Sequence, residues 1–110
     1  LGRYDNGIGR SWDDPNAMKF YNDGHVSYPY LSDGMWFLTQ HRRWGLLKED
    51  VDYLAVAKKV NRLDVYAAAA AAAKATVPKS PMRVSKLIDG VVWDGKDPKR
   101  YASACKLKVA

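Results

Sequence analysis

A run of seven consecutive alanines, Ala67–Ala73, restricts the local structure of this chain more than any other feature. Alanine has the highest helix propensity of any residue. Asp64 can cap a helix just before the run, and Thr76-Val77-Pro78 stops one just after it. The segment is therefore predicted to be helical to about Ala75. Because seven methyl groups provide little side-chain area to bury, we expect this helix to pack closely against its neighbours.

A second helix is predicted around a cluster of aromatic residues. Ser32-Asp33-Gly34 provides an N-cap and an acidic first turn, and Gly45 provides the C-cap after good helix formers from Met35 to Trp44. The apolar first turns are expected to be buried. The last turn, which carries Arg42 and Arg43, is expected to lie in water near the negative end of the helix dipole.

Three further helices are predicted from cap residues and apolar spacing. Asp14-Pro15 begins a short helix that ends at about Phe20 or Tyr21. Lys48-Glu49-Asp50 begins another, which is interrupted over residues 61–63. Asp97-Pro98 begins a terminal helix with the same Asp-Pro start signal as the first. In the helix that begins at residues 48–50, apolar residues recur near helical spacing: Val51, Leu54, Ala55 and Val60.

These signals predict a mainly α segment with short β pieces. Residues 1–11 are rich in glycine and are expected to form an entry loop with no element of its own. Residues 12–75 form the helical region, in which residues 22–30 are a turn-rich extended connection. Residues 76–110 contain a linker, short extended pieces around a turn over residues 87–95, and the terminal helix. We expect 1–110 to be one segment.

Composition excludes several classes of protein. The chain has 110 residues, of which 47% are hydrophobic, so a disordered tail is excluded. No apolar stretch approaches the roughly 20 residues that a membrane-spanning helix needs. A single cysteine, Cys105, excludes an intrachain disulfide framework and a cysteine-based zinc site. Residues 56–110 carry a net charge of +8 and residues 1–55 a net charge of −2, which gives +6 overall. This charge is interpreted as a solvated helix face; the alternative is a nucleic-acid surface, for which no reading motif is present.

No constellation of residues supports catalysis or metal binding. His25 and His41 have no second histidine or cysteine at a ligand spacing, so each is expected to be a surface or hydrogen-bonded residue. Cys105 is expected to be a buried thiol rather than a nucleophile. Gly7-Ile8-Gly9 lacks the third glycine of a dinucleotide-binding loop, because Trp12 occupies that position.

Two features of the sequence bear on ion binding. Asp5, Asp13 and Asp14 lack the spacing of a calcium loop, and helix capping explains them better. The free N–H groups at Ser32-Asp33-Gly34 could receive an oxyanion, although Asp33 would repel it. No catalytic, metal or ligand residue is therefore assigned.

The order of several motifs resembles a known protein family. The most specific motif is the segment from Tyr28 to Gly45, which contains Trp36-Phe37-Leu38-Thr39 and Arg43-Trp44-Gly45. The motif Ser27-Tyr28-Pro29-Tyr30 overlaps its start. Gly2-Arg3-Tyr4-Asp5-Asn6-Gly7 and Met18-Lys19-Phe20 precede it, and Ile88-Asp89-Gly90-Val91, Trp93-Asp94, Asp97-Pro98 and Tyr101 follow it. Together they resemble the C-terminal part of the nitrate- and bicarbonate-binding proteins of bacterial ABC transporters.

This resemblance implies a two-lobed α/β fold of the periplasmic-binding-protein type II class, which closes around nitrate, nitrite or bicarbonate. The family's pocket residues lie N-terminal to the matched region, so this segment would support the cleft from outside. The residues Trp36–Leu38 and Trp44 would be core anchors. The helix rich in alanine departs from the family, whose members mix charged residues and leucine into it.

The resemblance also implies partners and a location. The transport type is not an enzyme and needs no cofactor; it delivers its anion to an ABC permease from the periplasm or the outer face of the membrane. The alternative is a cytoplasmic nitrate sensor of the same fold, which controls an antiterminator partner. Neither type implies direct contact with nucleic acid by this segment.

Overall fold

The computed structural model describes residues 2–104, so Cys105 lies outside the described residues. Within that range four α-helices and two short hairpins form a mainly α segment, as predicted. In chain order the elements are β1 (Arg3–Asp5), β2 (Ser11–Asp13), α1 (Leu31–Arg43), α2 (Tyr53–Val60), α3 (Leu63–Ala72), β3 (Ser85–Lys86), β4 (Val92–Trp93) and α4 (Pro98–Ala104).

The predicted entry loop contains β1, so the expectation that residues 1–11 form no element was wrong. β1 pairs antiparallel with β2, and Tyr4 lies opposite Trp12 with ring centroids 5.9 Å apart. The tip is closed by side chains: Asp5 accepts from the Gly7 N–H at 2.7 Å, and Asn6 accepts from the Ile8 N–H at 3.1 Å. Each strand has only three residues, all exposed, so no alternation of burial marks it in the sequence.

The helix predicted from Asp14-Pro15 does not form. The Asp14 carboxylate accepts from the Asn16 N–H at 2.8 Å, and its carbonyl accepts from the Ala17 N–H at 3.2 Å, which makes a turn. Met18 and Phe20 are exposed, so no buried face stabilises a helix of this length. The cap-like aspartate forms a local turn instead of a helix cap. Turns continue over residues 22–27, in agreement with the predicted connection.

Helix α1 confirms the strongest sequence prediction, with one correction at its start. Tyr30 is the N-cap and makes no side-chain cap bond, so the predicted N-cap Ser32 lies inside the helix. Gly45 has φ +74° and follows the helix directly after Trp44, as the C-cap prediction required. The N–H of Leu46 then donates to the His41 carbonyl at 2.9 Å. The glycine therefore ends the helix by adopting a left-handed conformation.

Helix α2 begins five residues later than predicted. Asp52, rather than the segment 48–50, caps it by accepting from the Ala55 N–H at 3.0 Å. Arg62, with φ +24°, separates α2 from α3, which agrees with the predicted interruption. Asp64 was wrongly predicted to cap α3, since it lies in the first turn and pairs with Arg62.

The alanine run is helical, but it does not pack as predicted. Helix α3 ends at Ala72 rather than Ala75, and Ala70 is the one buried residue among its described positions. The remaining alanines of the run are exposed. A single position of the run is therefore buried, and α3 makes no extensive contact with another helix of the described residues.

The core lies where α1 meets α2 and α4. Its buried residues are Leu31, Met35, Tyr53, Ala57 and Trp93, and the β3–β4 hairpin supplies Trp93. The prediction that Trp36–Leu38 and Trp44 anchor the core was only partly right. Trp36 and Leu38 pack against it half-buried, whereas Phe37 and Trp44 are 59% and 57% exposed. The core is small for this chain length, and the radius of gyration is 17.9 Å against about 13 Å for a compact 110-residue domain.

Candidate functional site

The start of α1, where the sequence left room for an oxyanion, is occupied by the chain itself. Arg83 donates to both oxygens of Asp33, at 3.0 Å from Nε and 2.6 Å from Nη2. The Arg83 N–H donates to Ser32 Oγ at 3.0 Å, and the Leu31 N–H donates to the Pro81 carbonyl at 2.8 Å. Side-chain and carbonyl groups of the segment after α3 therefore contact this helix terminus.

Three other contacts fix the same helix end. Trp93 Nε1 donates to the Ser32 carbonyl at 2.8 Å, and Asn61 Nδ2 donates to the Tyr30 carbonyl at 2.8 Å. The Arg83 guanidinium also lies over the Tyr30 ring, 4.7 Å from its centroid. Sequence reasoning missed Arg83, because its partner is 50 residues away and no local pattern links the two. These contacts join α1 to the segments that follow α2 and α3, and they are structural.

Both histidines are hydrogen-bonded, as expected. His25 Nδ1 lies 3.1 Å from the Tyr30 hydroxyl, and His41 Nδ1 lies 2.9 Å from the Phe37 carbonyl oxygen. The acidic residues near the N-terminus also have local roles. Asp5 and Asp14 accept backbone bonds in turns, which corrects the prediction that they cap helices. Within residues 2–104 no group of three or more His, Cys, Asp or Glu side chains could hold a metal ion.

A cluster of charged and hydroxyl groups lies at the other end of α1. The Tyr53 hydroxyl donates to Asp50 Oδ1 at 2.7 Å, and Arg42 Nε lies 3.6 Å from the same oxygen. Burial of the phenol, followed by the hydrogen bond to Asp50, raises the pKa of Tyr53 to about 12. Arg42, which was expected to lie in water at the last turn of α1, is half-buried, so this expectation holds only in part.

An apolar groove of about 220 Å³ runs between α1 and α2. Phe37, Leu38, Val56, Ala57 and Val60 contribute to its lining. Phe37 and Val60 are largely exposed, and so are Trp44 and Leu46 beyond the end of α1. We call this the α1–α2 groove. Exposed apolar surface of this kind is suited to contact with another protein surface.

The described residues contain no membrane-spanning candidate. No helix within residues 2–104 is both long enough and apolar enough to cross a bilayer.

Comparison with known proteins shows relatives over nearly the whole chain. The chain is 37% identical over 112 residues to the nitrate/nitrite binding protein NrtA of Synechocystis sp., which covers 97% of the chain and 25% of that protein. It is 33% identical over 95 residues to the bicarbonate-binding protein CmpA of Synechococcus elongatus, covering 79% of the chain and 21% of that protein. The chain thus spans about a quarter of the length of these relatives.

A related segment also occurs in a protein that is named as an ATP-binding protein of nitrate import. The chain is 33% identical over 108 residues to the nitrate import ATP-binding protein NrtC of Synechococcus elongatus, covering 96% of the chain and 16% of that protein. No protein-family model matches the chain, and no solved structure is significantly similar to it. The sequence relatives nevertheless agree with the resemblance carried by the aromatic and arginine motifs. Over the 97% of its length that aligns, the chain therefore belongs to the nitrate- and bicarbonate-binding protein family of ABC transporters.

Proposed function

We propose that this chain is part of a solute-binding protein that captures a small oxyanion, namely nitrate, nitrite or bicarbonate, for ABC-type import. The observation that supports this most strongly is the 37% identity, over 97% of the chain, to a protein named as a nitrate/nitrite binding protein. The identity to a bicarbonate-binding protein is lower, at 33%. Nitrate or nitrite is therefore the preferred ligand. The role is binding rather than catalysis.

In this proposal the chain is the C-terminal portion of a two-lobed α/β fold of the periplasmic-binding-protein type II class. The chain spans about a quarter of its relative. Since the resemblance implies that the family's pocket residues lie N-terminal to the matched region, the anion pocket in this proposal lies outside this chain. The α1–α2 groove supports this arrangement, because its exposed apolar side chains offer a surface on which a lobe can pack. The segment then supports the cleft from outside.

The partner of the intact protein is an ABC permease, and the protein works in the periplasm or on the outer face of the cytoplasmic membrane. A relative named as a nitrate import ATP-binding protein supports the link to an import system. No relative's name supports the alternative of a cytoplasmic sensor with an antiterminator partner, and no observation favours it.

Thermal unfolding of the intact protein tests this function. An anion that binds only the folded state raises the melting temperature with increasing anion concentration, by mass action. We expect nitrate, nitrite or bicarbonate to do so in the low millimolar range or below, while chloride at the same ionic strength does not. If all three anions behave like chloride, the proposed function is wrong.

A further inference from the structure

A polar cavity of about 240 Å³ lies between the end of α1 and α4, away from the α1–α2 groove. Its polar lining comes from Arg42, Arg43, Asp50, Lys99 and Ser103. Three of these side chains are cationic and one is anionic. The cavity therefore has a formal surplus of two positive charges.

The single carboxylate in the lining is already engaged. Asp50 Oδ1 accepts from the Tyr53 hydroxyl at 2.7 Å and lies 3.6 Å from Arg42 Nε. Arg43 Nη1 donates to the side-chain oxygen of Gln40 at 2.6 Å, which is a neutral acceptor. Within residues 2–104, neither Arg43 nor Lys99 forms an ion pair. Two positive charges of this cavity thus lack an anionic partner in the described part of the chain.

Two buried donors are also unsatisfied. The Nε atoms of Arg42 and Arg43 are buried, and neither has an acceptor within hydrogen-bond distance among residues 2–104, although Arg42 Nε lies 3.6 Å from Asp50 Oδ1 in an ion pair. A buried donor that gave up water without gaining an acceptor is unfavourable, and in a native protein it is explained by local strain, an ordered water or a bound ion. A guanidinium donates two parallel N–H groups in a fixed plane, a geometry that matches the oxygens of an oxyanion.

The opposing electrostatic contributions are smaller than the positive surplus. The C-terminus of α1 contributes about half a negative charge at this position. Asp50 is included in the surplus of two, so the cavity remains positive after both are counted. Its volume exceeds the roughly 30 Å³ that one water occupies in the liquid, so an oxyanion enters with part of its hydration shell.

We propose that this cavity, which we call the Arg42–Arg43 pocket, is a binding site for a small inorganic oxyanion such as nitrate or phosphate. Arg43 is the main ligand, and Arg42 and Lys99 complete the positive side. The site is separate from the transport pocket, which the proposed function assigns to the part of the protein outside this chain. Either proposal can therefore fail without the other.

The test is a titration followed by nuclear magnetic resonance of the arginine Nε–H groups in the intact protein. Resonances are assigned with Arg42→Gln and Arg43→Gln, and nitrate or phosphate is added at constant ionic strength against chloride. We expect saturable shifts at Arg42 and Arg43. The Nε–H of Arg62, which is exposed and paired with Asp64, is the internal control and should not shift.

Matched variants separate binding from folding. Arg43→Gln should weaken the affinity reported by Arg42 about 10- to 100-fold, the range for loss of a hydrogen bond to a charged group. Arg43→Lys, which keeps the charge but loses the fork, should weaken it less. Lys99→Gln replaces an exposed residue and should also weaken it, whereas Lys59→Gln, on α2 and outside the lining, should not.

Three results would overturn the proposal. One is a shift with nitrate and phosphate that is no larger than with chloride. Another is an unchanged affinity in both Arg43→Gln and Lys99→Gln. The third is a response to a glutamate-rich peptide but to neither inorganic anion, because the pocket would then receive a protein carboxylate. Loss of nitrate binding elsewhere in the protein would not affect these resonances.

Discussion

Arg83 and Asp33, which are 50 residues apart in the chain, form a two-point ion pair that fixes the start of α1. The same arginine lies over the Tyr30 ring, and its backbone N–H donates to Ser32 Oγ. The linker after α3 is thus attached to the first turn of α1 by one residue. This contact fills the helix terminus that the sequence left open to an anion.

Replacing Arg83 tests this attachment. The pair is partly exposed, so an ion pair of this kind contributes up to about 1 kcal/mol, and the contact with Tyr30 adds about 0.5–1 kcal/mol. Arg83→Ala should therefore lower the free energy of unfolding by about 1–2 kcal/mol, measured by urea denaturation. Arg83→Lys should recover part of the loss. A cost of Arg83→Ala that is unchanged in an Asp33→Ala background would contradict the pairing.

Gly24 provides a sharp test of the loop before α1. It has φ +83°, and a Cβ placed there would lie 2.6 Å from the Thr76 carbonyl oxygen. Gly45 has φ +74° and nothing within 4 Å of such a Cβ, so it is the matched control. Gly45→Ala should lower the free energy of unfolding by about 1–2 kcal/mol, because alanine is strained in the left-handed backbone conformation. Gly24→Ala should lower the free energy of unfolding by about 2–5 kcal/mol, because the new Cβ also clashes with the Thr76 carbonyl oxygen. Equal costs in chemical denaturation would mean that Thr76 is not this close.

The raised pKa of Tyr53 predicts that the folded state loses stability at alkaline pH. Its pKa is raised from 10.0 to about 12 in the folded state by burial and by the bond to Asp50. A raised folded-state pKa means that the contribution to stability is complete below about pH 10 and is lost as the pH rises toward about 12. Guanidinium unfolding across this range should show the decline. Tyr53→Phe should show a smaller decline over the same interval, and an identical decline would contradict the assignment.

The alanine run yields a prediction from paired positions. Ala70 is 6% exposed, whereas Ala69 beside it is exposed. Leucine is also a good helix former, so the two substitutions differ mainly in packing. Ala70→Leu should lower the free energy of unfolding by about 1–3 kcal/mol through overpacking. Ala69→Leu should change it by no more than about 0.5 kcal/mol. If thermal denaturation shows equal costs, the exposed alanines also pack against something in the intact protein.

Sequence patterns predicted the longer elements well. Helix α1 combined an acidic first turn, apolar early turns and a terminal glycine, and these local signals agree with its tertiary contacts. The terminal helix α4 also begins as predicted, since Asp97 accepts from the Arg100 N–H at 3.1 Å. Where local propensity and packing favour the same structure, sequence alone is sufficient.

The errors have a common physical origin. Asp14-Pro15 and Asp97-Pro98 carry the same helix-start signal, yet only the second begins a helix. Helix α4 packs on α1 and buries Ala102, whereas the residues after Pro15 bury no helical face. The candidate sites also depend on non-local contacts. The Arg83–Asp33 pair and the lining of the Arg42–Arg43 pocket each join residues separated by about 50 positions in the chain. No local pattern encodes such contacts.

Calorimetric titration of the intact protein with nitrate tests the central claim most directly. The account predicts saturable binding with a stoichiometry of about one in Arg43→Gln, a variant in which nitrate binding to the separate Arg42–Arg43 pocket is weakened. Nitrite and bicarbonate should be titrated in parallel to rank the anions. The absence of heat and of saturation with all three anions would contradict the assignment of this chain to an oxyanion-binding protein.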